Sequence, residues 1–306
     1  MEILPAIESF NKATSPTFYI APFRAILDGL TSEALASHSG VRIAGRLLSF
    51  ATMMKKPDDN PEIPSGAVRA FVLCGGAGTR LRPVLADRPK SMALIGGVPF
   101  LQLLIERLRC QGVDDVILGT GYMAEKIESY FGSGNELSMR IRYSREHEPL
   151  GTGGALKLAE PLISDPVLVL NGDSYVEWSL VAMLELFRAK DADMVVVVQA
   201  VADVTRYGSV ALDQDGRVAR FVEKGLHTGP GLINAGVYLL RKEIVRDLPA
   251  SQAISLERDV FPSLLNRRVY GLVCHGLFID IGIPDDLRQA QTLLAPHPRF
   301  EKPSHN

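Results

Sequence analysis

Residues 68–90 constrain this 306-residue chain more than any other stretch. Val68-Arg-Ala-Phe-Val-Leu73 is an apolar run too short for a typical helix, and it reads as a buried strand. Gly75, Gly76 and Gly78 follow directly. A glycine-rich turn leaving a buried strand lets backbone N–H groups approach an anion closely. Arg80, Arg82 and, beyond Pro89, Lys90 add positive charge behind it. A tight turn alone also produces glycines after a strand, but turn and spaced cations together describe a polyphosphate site. No Gly-Lys-Ser/Thr follows, so this is not a Walker loop. The dinucleotide fingerprint is incomplete as well, because its third glycine is missing.

Composition bounds the rest. A hydrophobic fraction of 46% with 22% charged residues is ordinary for a globular chain with a sizeable core. A formal net charge of −2 argues against a general nucleic-acid-binding surface, so any basic site is local. Cys74, Cys110 and Cys274 have no metal-ligand spacing, and their apolar surroundings read as buried free thiols in a reducing compartment. No apolar run reaches the length of a membrane span, and no basic region opens the chain as a secretory signal would. The expectation is a cytoplasmic protein.

Residues 1–66 read as an N-terminal extension and linker. Val41–Met54 carries a short amphipathic pattern, and residues 57–66, PDDNPEIPSG, have linker composition. The boundary falls there, and residues 67–306 form the second domain. From Val68 onward strands and helices alternate, the pattern of a mostly parallel α/β sheet flanked by helices. Pro166–Leu170, PVLVL, suits a central strand buried on both faces. Beyond residue 200 the grain turns β-rich. Asp213-Gln-Asp-Gly216 between Ser209–Leu212 and Val218–Val222 marks a hairpin, and this region reads as a substrate lid. Helices are expected over Arg258–Asn266 and Pro284–Leu294.

Two carboxylates stand out. The central strand runs into Asn171-Gly-Asp173, which places Asp173 beyond a strand's carboxyl end, where ligands of open α/β sheets sit. Asn-Gly-Asp alone is more often a turn. A carboxylate facing phosphates needs a cation between them, and Mg²⁺ takes one or two carboxylates plus phosphate oxygens. Asp280 lies inside the apolar run Gly276-Leu-Phe-Ile-Asp-Ile-Gly282, a costly position unless it is paired or metal-bound. Glu148-Pro-Leu-Gly-Thr-Gly-Gly154 is a second strand-to-helix glycine turn.

The string GGAGTRLRP with Pro89-Lys90 resembles the signature of the sugar-1-phosphate nucleotidylyltransferases, and matching strings continue to roughly residue 295. Leu85 and Ser91 depart from it, where the family usually has Thr and Pro. The resemblance implies a Rossmann-like fold of the nucleotide-diphospho-sugar transferase type. It implies that Leu73, Gly75, Gly76, Gly78 and Thr79 bind nucleotide, with Leu150, Gly151 and Thr152 reading the base. Tyr207, Gly208, Glu223 and Asn234 would hold the sugar. Asp173 and Asp280 would share Mg²⁺, while Arg80, Lys90 and Lys224 would carry catalysis. Within the family, EPLGTGGAL, GLINAGVYLL, SLERDVFP and GLFIDIGIPDD look most like the D-glycero-α-D-manno-heptose 1-phosphate guanylyltransferases. That implies GTP and a sugar 1-phosphate as partners. Mannose 1-phosphate is the alternative sugar, and glucose 1-phosphate with dTTP or UTP a more distant one. From another class, a non-catalytic nucleotide-sugar-binding subunit fits less well, because every charge the chemistry needs is present. The oligomeric state is open.

Overall fold

The computed structural model describes residues 68–294, except residues 82, 83, 86 and 223. The readings made for residues 1–66, the boundary placed there, and Glu223 lie outside the described residues. Strand β1 (Arg69–Leu73) is followed by a short pair, β2 (Leu94–Ile95) and β3 (Val98–Pro99). Next come β4 (Asp115–Thr120), β5 (Arg140–Arg145), β6 (Val167–Asn171) and β7 (Ser174–Val176). The chain ends with β8 (Met194–Val201), β9 (Ser209–Leu212), β10 (Val218–Val222), β11 (Gly231–Leu240), β12 (Val269–Cys274) and β13 (Phe278–Asp280). The helices are α1 (Phe100–Cys110), α2 (Ala124–Phe131), α3 (Gly151–Leu158), α4 (Leu180–Ala189), α5 (Lys242–Arg246) and α6 (Pro284–Leu294).

The main sheet runs β12–β8–β11–β6–β1–β4–β5. Its strands are covered on both faces, which is why β4 is buried throughout and β6 reads as an uninterrupted apolar run. Side chains alternate between the two layers. Ala70 and Val72 of β1 join one core cluster with Leu168 and Leu170, while Phe71 joins the other with Val167 and Val169. Each of the buried Val, Leu and Phe side chains contributes about 1.5–3 kcal/mol of transfer free energy. The sheet is mixed, with parallel pairings in the majority along this order. β1 pairs in parallel with β4 and β6, but β11 runs antiparallel to both β6 and β8.

The hairpin β9–β10 pairs antiparallel and joins the sheet through Ser209 and Ile233, forming the smaller β-rich lid. A bulge in β11 between Asn234 and Tyr238 bends the strand there. Gly236 sits in that bulge at φ +76, and a Cβ on it would meet the Asn171 side chain at 2.8 Å. A third apolar cluster packs Ile279 and Ile281 against Phe100, Leu103 and Ala290.

Two sequence expectations need correction. The helix expected over Arg258–Asn266 is a π turn at Leu256–Val260 followed by a 3₁₀ turn at Phe261–Leu264. Pro262 has no N–H for an α-helical ladder, which breaks regular continuation. Cys74 and Cys274 are buried as expected, but Cys110 is exposed, since it ends α1 two residues past Leu108, the last residue of the apolar face. Among the described residues no helix is long and apolar enough to cross a membrane.

Candidate active site

Strand β1 is flanked by β4 on one side and β6 on the other, so the order of connections reverses there. In open α/β sheets ligands bind beyond the strand carboxyl ends at such a switch point. The register places Leu73 beside Asn171, and the Gly172 N–H donates to the Leu73 carbonyl at 2.9 Å. A Cβ on Gly172 would lie 2.5 Å from that carbonyl, so this close approach requires glycine. The glycine turn and the Asn171-Gly-Asp173 turn therefore open into one cleft. Its volume is about 240 Å³, and Gly76, Gly78, Arg80, Lys90, Ser91 and Asp173 line it. Leu73 and Thr79 line it too, while Gly75 is not among the lining residues.

Lys90 opens a 3₁₀ turn, Lys90–Met92, packed against Gly78. Gly78 has φ +56, and a Cβ there would meet the Lys90 Cβ at 2.8 Å. The lysine thus reaches the turn from outside it, as the sequence places it. Its ammonium donates to Asp173 Oδ2 at 2.7 Å and stands 3.7 Å from Asp280 Oδ1.

Asp280 arrives on β13, which pairs antiparallel with β7 and sets Asp280 opposite Ser174. Ile279 and Ile281 face the apolar cluster, so strand alternation turns Asp280 toward the cleft. Burial, then the charge of Asp173, pushes the Asp280 carboxyl up to about 6, against the pull of Lys90 and Arg80. Its Oδ1 is buried and accepts no hydrogen bond. That orphaned oxygen beside a second carboxylate is what a hard cation with oxygen ligands fits. Among the described residues no group of three or more His, Cys, Asp or Glu side chains forms a complete metal cage. Two carboxylates suit Mg²⁺, which draws its remaining ligands from water and phosphate.

The second glycine turn leads into α3. Gly151 has φ +68, and Ile254 presses so close that a Cβ there would lie 2.5 Å from its carbonyl. Gly153 donates to the Ile254 carbonyl and Ile254 donates back to Leu150, which fixes Leu150, Gly151 and Thr152 against residues 254–257. Gly75 and Gly121 both make room for Glu146, whose Oε1 would sit 2.6 Å from a Cβ on Gly75. Glu146 Oε2 accepts the Leu150 N–H at 3.1 Å, while burial raises its carboxyl above the ordinary range.

Of the residues expected to hold the sugar, Gly208 and Asn234 are in contact and Tyr207 lies next to Gly208 in the chain. Asn234 donates its N–H to the Gly208 carbonyl at 2.9 Å, Gly208 lies against Val222 at the end of β10, and the Gly225 N–H donates to Thr205. Tyr207 packs edge-on against Phe278 with ring centres 5.5 Å apart, which places it beside the strand that holds Asp280. Lys224 is exposed in the turn after β10 and is not part of the cleft lining.

Sequence reasoning missed Glu146 and the buried Ser91 hydroxyl, which lines the cleft without a hydrogen-bond partner. Glu146 was findable as the first carboxylate after β5, at the same strand ends as the glycine turn. Ser91 showed itself only as a departure from a proline.

The nucleotidyl transferase family model matches residues 69–296. The chain is 42% identical over 226 residues to the D-glycero-alpha-D-manno-heptose 1-phosphate guanylyltransferase of Aneurinibacillus thermoaerophilus, covering 73% of this chain and 97% of the relative. It is 38% identical to the mannose-1-phosphate guanylyltransferase of Mycobacterium tuberculosis, covering 72% of this chain and 62% of that one. The crystal structure of HddC from Yersinia pseudotuberculosis superposes with a TM-score of 0.67 at 40% identity, covering 73% of this chain and 98% of HddC. A second HddC structure, complexed with GMP-PN, matches equally well.

Proposed function

The chain belongs to the nucleotidyl transferase family as a sugar-1-phosphate nucleotidylyltransferase, and on that premise we propose that it joins GMP from GTP to D-glycero-α-D-manno-heptose 1-phosphate. A phosphate oxygen of the sugar 1-phosphate attacks the α-phosphorus of the nucleotide. The bond to the β-phosphate oxygen breaks, and pyrophosphate leaves with its electron pair. The attacking oxygen is already anionic at neutral pH, so no general base is required.

The observation that carries the reading is the cleft in which Gly76, Gly78, Arg80, Lys90 and Asp173 converge at the switch point. Arg80 and Lys90 stabilise the phosphates as charge shifts to the leaving group, and Lys224, exposed in the turn after β10 and outside the cleft lining, would join them only from the lid side. Asp173 and Asp280 would hold Mg²⁺, which would supply neutralisation of phosphate charge, and the Lys90 ammonium between these carboxylates and the glycine turn stands within reach of a nucleotide phosphate. The orphaned Asp280 oxygen supports that assignment. Gly75, Gly76, Gly78 and Thr79 cradle the phosphates, with Leu73 beneath them. Leu150, Gly151 and Thr152 lie along the base, and Tyr207, Gly208, Glu223 and Asn234 along the sugar.

Guanine is favoured by Glu146. Beyond the Leu150 N–H that its Oε2 accepts, this half-buried carboxylate keeps lone pairs that would complement guanine's adjacent N1–H and N2–H₂ donors. Identity of 42% with a heptose 1-phosphate guanylyltransferase supports the sugar. Residues 67–306 form the catalytic domain and residues 1–66 an extension with a linker, a division supported by a family match that starts at residue 69. Buried thiols at Cys74 and Cys274 support a cytoplasmic setting.

The test is pyrophosphate release with Mg²⁺, each nucleoside triphosphate and a panel of sugar 1-phosphates. Release with GTP and the heptose phosphate is the expected result. Turnover confined to mannose 1-phosphate overturns the heptose, and Glu146→Gln should erode the preference for GTP.

A further inference from the structure

The base turn and the sugar lid come from distant parts of the chain, yet one hydrogen-bond relay joins them. Thr152 donates its hydroxyl to Glu257 Oε2 at 3.0 Å and accepts the Leu256 N–H at 2.7 Å. Ser255 donates to the same carboxylate oxygen at 3.1 Å. On the other oxygen, Oε1, Glu257 accepts from the Tyr238 hydroxyl at 3.5 Å. Tyr238 in turn accepts from Asn234 Nδ2 at 2.8 Å, and Asn234 Oδ1 takes the Gly236 N–H at 3.0 Å. The Asn234 amide is thereby fixed in one orientation, and the glycine of the β11 bulge helps to fix it.

Each link has a defined direction. A tyrosine hydroxyl has one proton, and because it accepts from Asn234 it is free to give that proton to Glu257. Tyr238 is fully buried, with its ring 4.7 Å from Phe261. Its hydroxyl therefore has no water to turn to, and the relay is its outlet. Phe261 belongs to the 3₁₀ turn that follows Glu257, so ring packing and hydrogen bonding tie the same two segments together.

We propose that Glu257 is a positioning residue that couples the nucleobase turn to the sugar lid, with Tyr238 as the relay to Asn234. The proposal rests on the assignment of Thr152 to the base side and Asn234 to the sugar side. The longest link, between Tyr238 and Glu257, is the one that tightens when both substrates are held, as catalytic hydrogen bonds do on closure. A sugar phosphate that orients Asn234 then also orients Thr152, so the correct sugar improves the grip on the nucleotide. None of these groups needs to touch a reacting atom.

The experiment uses whichever nucleotide and sugar phosphate the wild-type enzyme turns over best. Tyr238→Phe keeps the ring and removes only the relay. In wild type, a saturating sugar phosphate should lower the nucleotide KM roughly five- to tenfold, and a saturating nucleotide should lower the sugar phosphate KM by the same factor, because coupling is reciprocal. In Tyr238→Phe and in Glu257→Leu that interdependence should vanish, while the KM of each substrate measured with the other held scarce stays within about twofold of wild type. Thr152→Val should lose the interdependence too, and Thr152→Ser, which keeps the hydroxyl, should restore it. A general loss of structure would instead lower the melting temperature and raise both KM values whether the other substrate is scarce or saturating. That pattern, or a Tyr238→Phe enzyme with both KM values and their interdependence unchanged, overturns the relay. A wild-type enzyme that turns over no pair overturns the assignment beneath it as well, so the two failures are distinguishable.

Discussion

Two carboxylate–cation clusters lie at opposite ends of the sheet, and they are built differently. At the amino ends of β8 and β12, Asp193 is 8% exposed and takes four contacts from Arg268 and Arg241. Arg268 donates its backbone N–H at 3.1 Å, Nε at 3.2 Å and Nη2 at 3.1 Å, and Arg241 Nε stands 3.5 Å away. Burial works to raise this carboxyl, but the hydrogen bonds and charge of Arg268, with Arg241, carry it below its usual value. At the carboxyl ends of β1 and β6, Asp280 shares its Lys90 ion pair with Asp173, its Oδ1 accepts no hydrogen bond, and its carboxyl is raised. A cluster that only holds structure saturates its charges with guanidinium forks, because an unsatisfied buried charge is costly. One that leaves acceptors open beside a phosphate-sized cleft carries that cost for a ligand's sake.

The largest effect should come from the open cluster. Lys90→Ala is expected to lower turnover roughly 100-fold or more, since it removes a preorganised charge from the phosphates. Steady-state pyrophosphate release reads this, with circular dichroism to show an unchanged fold. Near-normal turnover would remove Lys90 from the chemistry. Asp193→Asn should behave in the opposite way, costing about 2 kcal/mol of stability in urea because it removes the charged acceptor at the centre of the cluster and leaves Arg241 and Arg268, among the described residues, only Asp191 as counter-charge. Its kcat should not change. Asp193 has a lowered carboxyl value, so its contribution is complete above the ordinary carboxylate value and disappears as pH falls through the lowered one. The gap between wild type and variant should therefore close in acid, and a gap that persisted there would refute the ionic origin.

Gly78→Ala comes next. A Cβ at φ +56 costs about 1–2 kcal/mol and pushes on Lys90, with an expected drop in turnover of roughly tenfold. A loss of stability with unchanged turnover would separate the turn from the lysine. The smallest effect is on Asp280. Its folded-state value of about 6 lies above the ordinary 3.8, so its stabilising contribution is present below 3.8 and lost as pH rises through 6. In metal-free, nucleotide-free protein, Asp280→Asn should melt a few degrees higher than wild type at pH 8 and show no such gain at pH 4. Equal melting at both values would mean that Lys90 compensates Asp280 fully.

Much of this was written locally. The apolar run Val68–Leu73, the glycines behind it and PVLVL before Asn171 specify strands that end in tight turns, because period, length and glycine content act over a few residues. The hairpin at Asp213–Gly216 and the outward placement of Asp280 between two isoleucines follow in the same way. Other features had no local signature. That β11 would insert antiparallel beside β6 depends on pairing between strands some 70 residues apart, as in Leu239 beside Leu168. That Glu146 would lie against Gly75, or Glu257 join Thr152 to Tyr238, depends on the same kind of long-range closure. Sequence determined which groups stand at the ends of strands. Only the packed sheet decided which ends meet, since side-chain contacts across layers are fixed by register and burial, and neither is encoded within any one segment.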